Sequence, residues 1–161
     1  MTDSVSPIRM ALVRQLTSRQ TSRIQRLSCA AGATRIEATL ITAIAITERS
    51  ARPKDARLIE WLVALPLRSG VFGPAARRLG LRISVGPFQM CGAPFGLKRS
   101  VVAALIRVRL NGLALRTPDS VARDWNGVMT DVRGTVRYSE VLRLALALVR
   151  TQEREALAIT S

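Results

Sequence analysis

One carboxylate in this sequence, Glu48, lies among apolar residues in a pattern that favours proton transfer. Ile41, Ile44, Ala45 and Glu48 recur at positions i, i+3, i+4 and i+7, so a helix here places the carboxylate on its apolar face. Burial and the nearby C-terminal end of the helix both disfavour negative charge, and both raise the pKa of a carboxyl group. Glu48 is therefore the candidate general acid of the chain.

The side chains that usually accompany a carboxylate in enzymes are scarce in the 161 residues. The chain has no His, which excludes imidazole bases, Ser-His-Asp and Cys-His pairs and the commonest transition-metal ligand. Its two cysteines, Cys29 and Cys91, are far apart in sequence and form no CxxC pair, so no metal site and no cofactor are predicted. A single disulfide between them stays open.

A helix from about residue 35 to about residue 50 must hold Glu48. Thr34 and Glu37 have the T-x-x-E form of a capping box at its start, and Pro53 ends it. Upstream, residues 8–27 carry a looser apolar pattern with a polar interruption, which predicts a marginal or frayed helix.

The remaining segments predict further helices around one irregular region. Short helices are predicted over residues 57–67 and 75–79, and longer ones over 101–110, 118–125 and 138–157. Glycine and proline punctuate residues 81–96, so this stretch is predicted to be an irregular loop or a small β-hairpin. The fold class is therefore mostly α, a single helical domain with that loop region.

Three segments occur in the order found in the soluble-lytic-transglycosylase-like domain of the lysozyme superfamily. LITAIAITERS at residues 40–50 resembles the apolar helix of that family, which ends in a glutamate followed by small polar residues. SVGPFQM at residues 84–90 is similar to its S-x-G-x-x-Q loop. DWNG at residues 124–127, with Tyr138 and Val141 beyond it, is similar to its Y-N-x-G turn and later Y-x-x-V helix start.

The resemblance implies a lysozyme-like α+β fold over residues 34–161, preceded by an N-terminal arm or marginal helix over residues 1–33. It implies that Glu48 is catalytic and that the glycan strands of peptidoglycan are the substrate, with Tyr138 able to hydrogen-bond the reacting N-acetyl group. It also implies that four further residues line or shape the binding cleft: Ser84, Gly86, Gln89 and Asn126.

The number of carboxylates near Glu48 bears on the type of reaction. Ordinary glycosidases use two carboxylates, and no second one is obvious among the nearest acids, Asp55 and Glu60. The lytic transglycosylase implied by the resemblance needs one glutamate, first as acid and then as base, and it leaves a 1,6-anhydro sugar. The sequence thus favours cleavage of the MurNAc–GlcNAc β-1,4 bond by this route.

Three alternatives stay open. The chain could be a lysozyme-like muramidase that hydrolyses the same bond, or a catalytically inactive module that binds the cell wall. A different class, a basic helical nucleic-acid-binding protein, is suggested by the net charge of +14. Six aromatic residues and the even spread of the arginines make nucleic acid the less favoured partner. The sequence does not indicate an oligomeric state.

The expected substrate and the first twenty residues favour different locations for the protein. No apolar run is long enough to span a membrane. Arg9, Arg14 and Arg19 interrupt every short apolar stretch at the N-terminus, so no signal-peptide core is visible. A wall-cleaving enzyme is expected to be periplasmic or secreted, and a protein of the other class is expected to be cytoplasmic.

Overall fold

The helix that carries Glu48 begins at the predicted capping box. In a computed structural model of the protein, the amide of Thr34 donates to Glu37 Oε2 (2.7 Å) and the amide of Glu37 donates to Thr34 Oγ1 (3.3 Å). These bonds satisfy amides that the first turn of a helix leaves unpaired. The helix covers Arg35–Ala51, within one residue of the predicted bounds.

The structure describes residues 18–51, 84, 85, 88, 90, 91, 96–126, 131, 132 and 136–160. Five α-helices account for most of them: α1 (Ser18–Ala30), α2 (Arg35–Ala51), α3 (Leu97–Leu110), α4 (Pro118–Asn126) and α5 (Tyr138–Thr160). A 3-10 helix, Leu113–Leu115, lies between α3 and α4. The predicted mostly-α class is confirmed.

Helix α2 lies at the centre of the molecule and is buried on every side. Each residue from 38 to 48 is buried, including those that face away from the stripe formed by Ile41 and Ile44. The hydroxyls of Thr42 and Thr47 donate to the carbonyl oxygens four residues earlier, so these buried polar groups are satisfied. A helix that is apolar all round belongs in a core, not on its edge. The sequence pattern predicted one buried face, and the structure buries the whole circumference.

The other helices surround α2. Helix α5 packs antiparallel along it, because Tyr138 at the start of α5 meets Glu48 and Glu153 near its end meets Thr39. Helices α1 and α3 contact α2 and each other, and α4 packs against α5. Together they enclose one apolar core, whose largest side chains include Ile41, Ile44, Phe88, Leu113, Leu142 and Tyr138.

Two pairs of very short antiparallel strands connect the helices. Strands β1 (Ser84–Val85) and β2 (Met90–Cys91) pair within the region predicted to be an irregular loop or hairpin. Phe88, between them, is only 1% exposed and lies in the core. Strands β3 (Asp131–Val132) and β4 (Val136–Arg137) pair just before α5. The sequence pattern did not indicate this second pair.

The end of α3 follows the predicted Asn-Gly stop. Gly112 has φ 58 and ψ 31, a left-handed conformation that glycine adopts at little cost. The amides of Asn111 and Gly112 donate to Arg107 O (3.2 Å) and Arg109 O (3.1 Å), and so satisfy carbonyls of the last turn. The chain then reverses into the 3-10 helix.

The described part of the N-terminal arm forms a continuous helix, whereas the sequence predicted a marginal or frayed one. Helix α1 continues through the polar residues that were expected to interrupt it, because Thr21, Ile24 and Ser28 are buried against the rest of the molecule. Residues 8–17 and the predicted short helices at 57–67 and 75–79 lie outside the described residues. Among the helices that are described, none is both long enough and apolar enough to cross a membrane.

Candidate functional site

Glu48 and Tyr138 form the candidate site. The Tyr138 hydroxyl donates a hydrogen bond of 2.9 Å to Glu48 Oε1, although the two residues are 90 positions apart in sequence. Glu48 is 7% exposed and Tyr138 is 1% exposed. The structure thus joins Glu48 of the 40–50 segment to Tyr138, the first residue of the Y-x-x-V helix start.

The positions of both residues follow from the ends of their helices. Glu48 lies in the last turn of α2, where the helix dipole disfavours a carboxylate. Tyr138 is the first residue of α5 and follows β4 directly. Because α2 and α5 are antiparallel, the end of one helix and the start of the other lie side by side, and the two side chains meet within the core.

The phenol of Tyr138 is held in its protonated form. Burial raises its pKa well above the usual value of 10.0, the negative charge of Glu48 and the hydrogen bond to it raise it further, and the positive charge of Arg107 lowers it. The hydroxyl therefore remains a donor over the range in which a carboxyl group titrates. A donor to a carboxylate favours the charged form, whereas burial favours the neutral form, so the site applies two opposite influences to Glu48.

Arg107 brings a positive charge to this region. Its position near the end of a predicted helix did not indicate a place beside Tyr138. Its Nη2 donates to the carbonyl oxygens of Asp124 (2.7 Å) and Trp125 (3.0 Å) at the end of α4. Its guanidinium carbon lies 4.4 Å from the centre of the Trp125 ring, a cation–π distance. Trp125 thus supports Arg107 and is itself buried.

The carboxylates of four other described acids are already engaged by arginine. Glu37 pairs with Arg109 at 2.8 Å, and Glu153 pairs with Arg35 at 3.0 Å. Asp119 and Asp124 pair with Arg143 and Arg116. None of these four is available as an unpaired second carboxylate beside Glu48. Within the described ranges, no cluster of three or more His, Cys, Asp or Glu residues could hold a metal ion.

The remaining predicted site residues are described less fully. Ser84 begins β1 and pairs with Cys91, and Asn126 is the last residue of α4. Gly86 and Gln89 lie outside the described residues. Cys29 is exposed and free, so the disulfide left open by the sequence does not form in this structure.

Arg49, which follows Glu48, is directed toward α1. Its Nη1 donates to Gln20 Oε1 at 3.3 Å. This contact ties the end of α2 to α1.

Comparison of the chain with protein families, with curated proteins and with solved structures finds no match. The chemistry of the site is therefore argued from Glu48, Tyr138 and the residues that surround them.

Proposed function

We propose that the protein is a lytic transglycosylase that cleaves the MurNAc–GlcNAc β-1,4 bond of peptidoglycan, with Glu48 as acid and then as base. The observation that carries the proposal is the buried hydrogen bond from Tyr138 to Glu48. If the family-like motifs form one site, Glu48 and Tyr138 must lie close together although they are distant in sequence.

In the first step, protonated Glu48 gives its proton to the glycosidic oxygen as the bond from that oxygen to the anomeric carbon breaks. The substrate's own N-acetyl group assists by attacking the anomeric carbon. An acid for this step needs a carboxyl group that keeps its proton near neutral pH, and an apolar setting favours that form. Residues 43–47, all buried, provide such a setting on the same helix.

In the second step, ionised Glu48 takes the proton of the C6 hydroxyl while that oxygen bonds to the anomeric carbon. The N-acetyl group is released and the product is a 1,6-anhydro sugar, with no water consumed. The Tyr138 hydroxyl stabilises the ionised carboxylate through Oε1. One carboxylate performs both steps.

The proposal gives supporting roles to the other motif residues. Gln89 hydrogen-bonds the sugar, Ser84 supports the loop beside Glu48, Gly86 allows the backbone to approach the saccharide, and Asn126 holds the turn that lines the cleft. These roles derive from the resemblance. Because peptidoglycan lies outside the cytoplasmic membrane, the activity also requires export of the protein.

The test is incubation of the purified protein with peptidoglycan, followed by mass analysis of the soluble fragments. We expect fragments with 1,6-anhydro ends. We expect Glu48→Gln to lower the rate by roughly 10²–10⁴-fold, the usual contribution of a general acid–base group. The control is Glu155→Gln, which makes the same change at an exposed position of α5 and should leave the rate unchanged.

Other outcomes would support a different function. Reducing ends would identify a muramidase that uses water as its nucleophile. Absence of fragments from a folded protein would reject cleavage and favour a wall-binding module. Nucleic-acid binding that weakens steeply with salt and is unaffected by Glu48→Gln would favour the other class.

A further inference from the structure

A cleft of about 480 Å³ lies at the opposite end of the α2–α5 pair from Glu48 and Tyr138. It is bounded by residues 35–40 of α2, residues 143–153 of α5 and residues 113–121, which join α3 to α4 and begin α4. Leu40, which lines the cleft, precedes Glu48 by eight residues, or about 12 Å along a helix. The cleft is therefore separate from the Glu48–Tyr138 site, and its size suits a small ligand or a short peptide.

Positive charge surrounds an apolar floor in this cleft. Leu40, Leu113 and Val121 are buried side chains that contribute to the floor. The charged residues of the lining are four arginines and one glutamate: Arg35, Arg116, Arg143, Arg150 and Glu153. A concave surface with excess charge of one sign attracts a ligand of the other sign.

Two of the arginines lie on one face of α5. Arg143, Leu146, Ala147 and Arg150 occupy positions i, i+3, i+4 and i+7, and all four line the cleft. The backbone positions of the two arginines are about 10 Å apart, with apolar side chains between them. Arg143 pairs with Asp119 but is 53% exposed, and Arg150 has no ion-pair partner among the described residues.

Three arginines of the cleft already bind carboxylates of the protein itself, which indicates that carboxylates are the anions they accept. Arg35, Arg116 and Arg143 each bind a carboxylate, from Glu153, Asp124 and Asp119. The Arg116–Asp124 and Arg143–Asp119 pairs are exposed. Exposed ion pairs contribute little to stability, so an incoming carboxylate can replace the resident one at these two arginines. Guanidinium groups bind carboxylates through paired hydrogen bonds.

We infer that this cleft binds a short, extended acidic peptide, with two carboxylates that contact Arg143 and Arg150 and an apolar side chain that lies on the floor between them. In the polyproline II conformation, residues three apart lie on the same edge and are separated by about 9 Å. This separation is close to that of the two arginines on α5. The inference concerns binding and does not depend on the proposed cleavage reaction.

The probe is the peptide acetyl-Glu-Pro-Leu-Glu-amide, titrated into the full-length protein at low salt and followed by calorimetry. We expect saturable binding, and no binding of the same peptide with glutamine at both ends. Arg143→Gln and Arg150→Gln should each weaken binding about tenfold, because each removes a charge-assisted contact. Glu48→Gln should bind the peptide as the unmodified protein does, so this test is independent of the cleavage test.

Arg154→Gln is the matched control. Arg154 is exposed on the same helix and does not line the cleft, so its replacement lowers the net charge equally. Equal weakening by Arg154→Gln would show that only total charge matters and would overturn the inference. So would equal binding of the glutamine peptide, displacement of the peptide by an equal concentration of inorganic phosphate, or no binding at all.

Discussion

Tyr138 donates a hydrogen bond of 2.9 Å to Glu48 Oε1. Because the phenol keeps its proton, the bond can only stabilise the ionised carboxylate. At the scale of the residue, Tyr138 therefore favours the base form needed for the second step, and burial favours the acid form needed for the first. The balance between the two sets the pH range of the enzyme we propose.

Replacement of Tyr138 by phenylalanine tests this balance. Tyr138→Phe removes the donor and keeps the ring, so the pKa of the Glu48 carboxyl should rise. The acid form should then persist to higher pH, and the basic limb of the pH–rate profile should move upward. The measurement is kcat/KM for peptidoglycan solubilisation as a function of pH, in the variant and in the unmodified protein. A lower rate with an unmoved basic limb would show that Tyr138 serves only packing.

At the scale of the element, the cap of α2 connects three segments. Glu37 accepts from the Thr34 amide and from Arg109 of α3, and Arg109 also donates to Gly32 O at 2.6 Å. The hydrogen bond from Arg109 is the main reason that the pKa of Glu37 falls from 4.5 to about 2, and the bond from the Thr34 backbone adds to it. The start of the central helix is thus fixed to α3.

Acid should weaken this connection within a defined range of pH. A carboxyl whose pKa is depressed by folding stabilises the protein above its unfolded pKa, and this contribution is lost as pH falls from about 4.5 to about 2. Glu37→Gln should lower the free energy of unfolding by about 1 kcal/mol at neutral pH. The difference from the unmodified protein should disappear near pH 2. Denaturant unfolding across that range checks it, and a difference that does not vary with pH would contradict the assignment.

Local sequence signals predicted where helices begin and end, but not the contacts between segments that are distant in sequence. Thr34 and Glu37 marked the start of α2, because capping depends on residues a few positions apart. The helix predicted over residues 118–125 is observed as Pro118–Asn126. The complete burial of α2, the β3–β4 pair and the contact of Arg107 with Trp125 depend on segments distant in sequence. Glu48 and Tyr138 were each predicted as site residues, but the bond between them was not, for the same reason.

At the scale of the whole molecule, α1 belongs to the same core as α2 and α5. Ile24 of α1 is 3% exposed. Gln25 of α1, together with Arg35 and Thr39 of α2, donates to the carboxylate of Glu153 on α5. The described part of the N-terminal arm is therefore structurally continuous with the region expected to be catalytic.

Two isoleucine variants test that continuity. Ile24→Ala should lower the free energy of unfolding by about 2–5 kcal/mol, as is usual when a buried isoleucine is truncated. The same change at Ile36, which is 60% exposed on α2, should shift it by less than about 0.5 kcal/mol. Chemical denaturation of both variants gives the comparison. Equal effects would show that α1 does not contribute to the cooperative core.

The distribution of charge is also a property of the whole molecule. The chain has 25 basic and 11 acidic residues, and the described ion pairs consume acids that lie mainly on the surface. Arginine remains in excess around the cleft between α2 and α5, where the acidic peptide is proposed to bind. Added salt should weaken that binding by screening.

The bond between Glu48 and Tyr138 also has a consequence for the order of events in folding. It closes a segment of 90 residues, and contacts between such distant residues carry a large entropy of loop closure that local helices avoid. A chain in which α2 has formed but α5 has not yet docked holds the carboxylate without its partner. Assembly of the site therefore requires α5 to dock on α2, and a chain in which α5 has not docked has no complete Glu48–Tyr138 site.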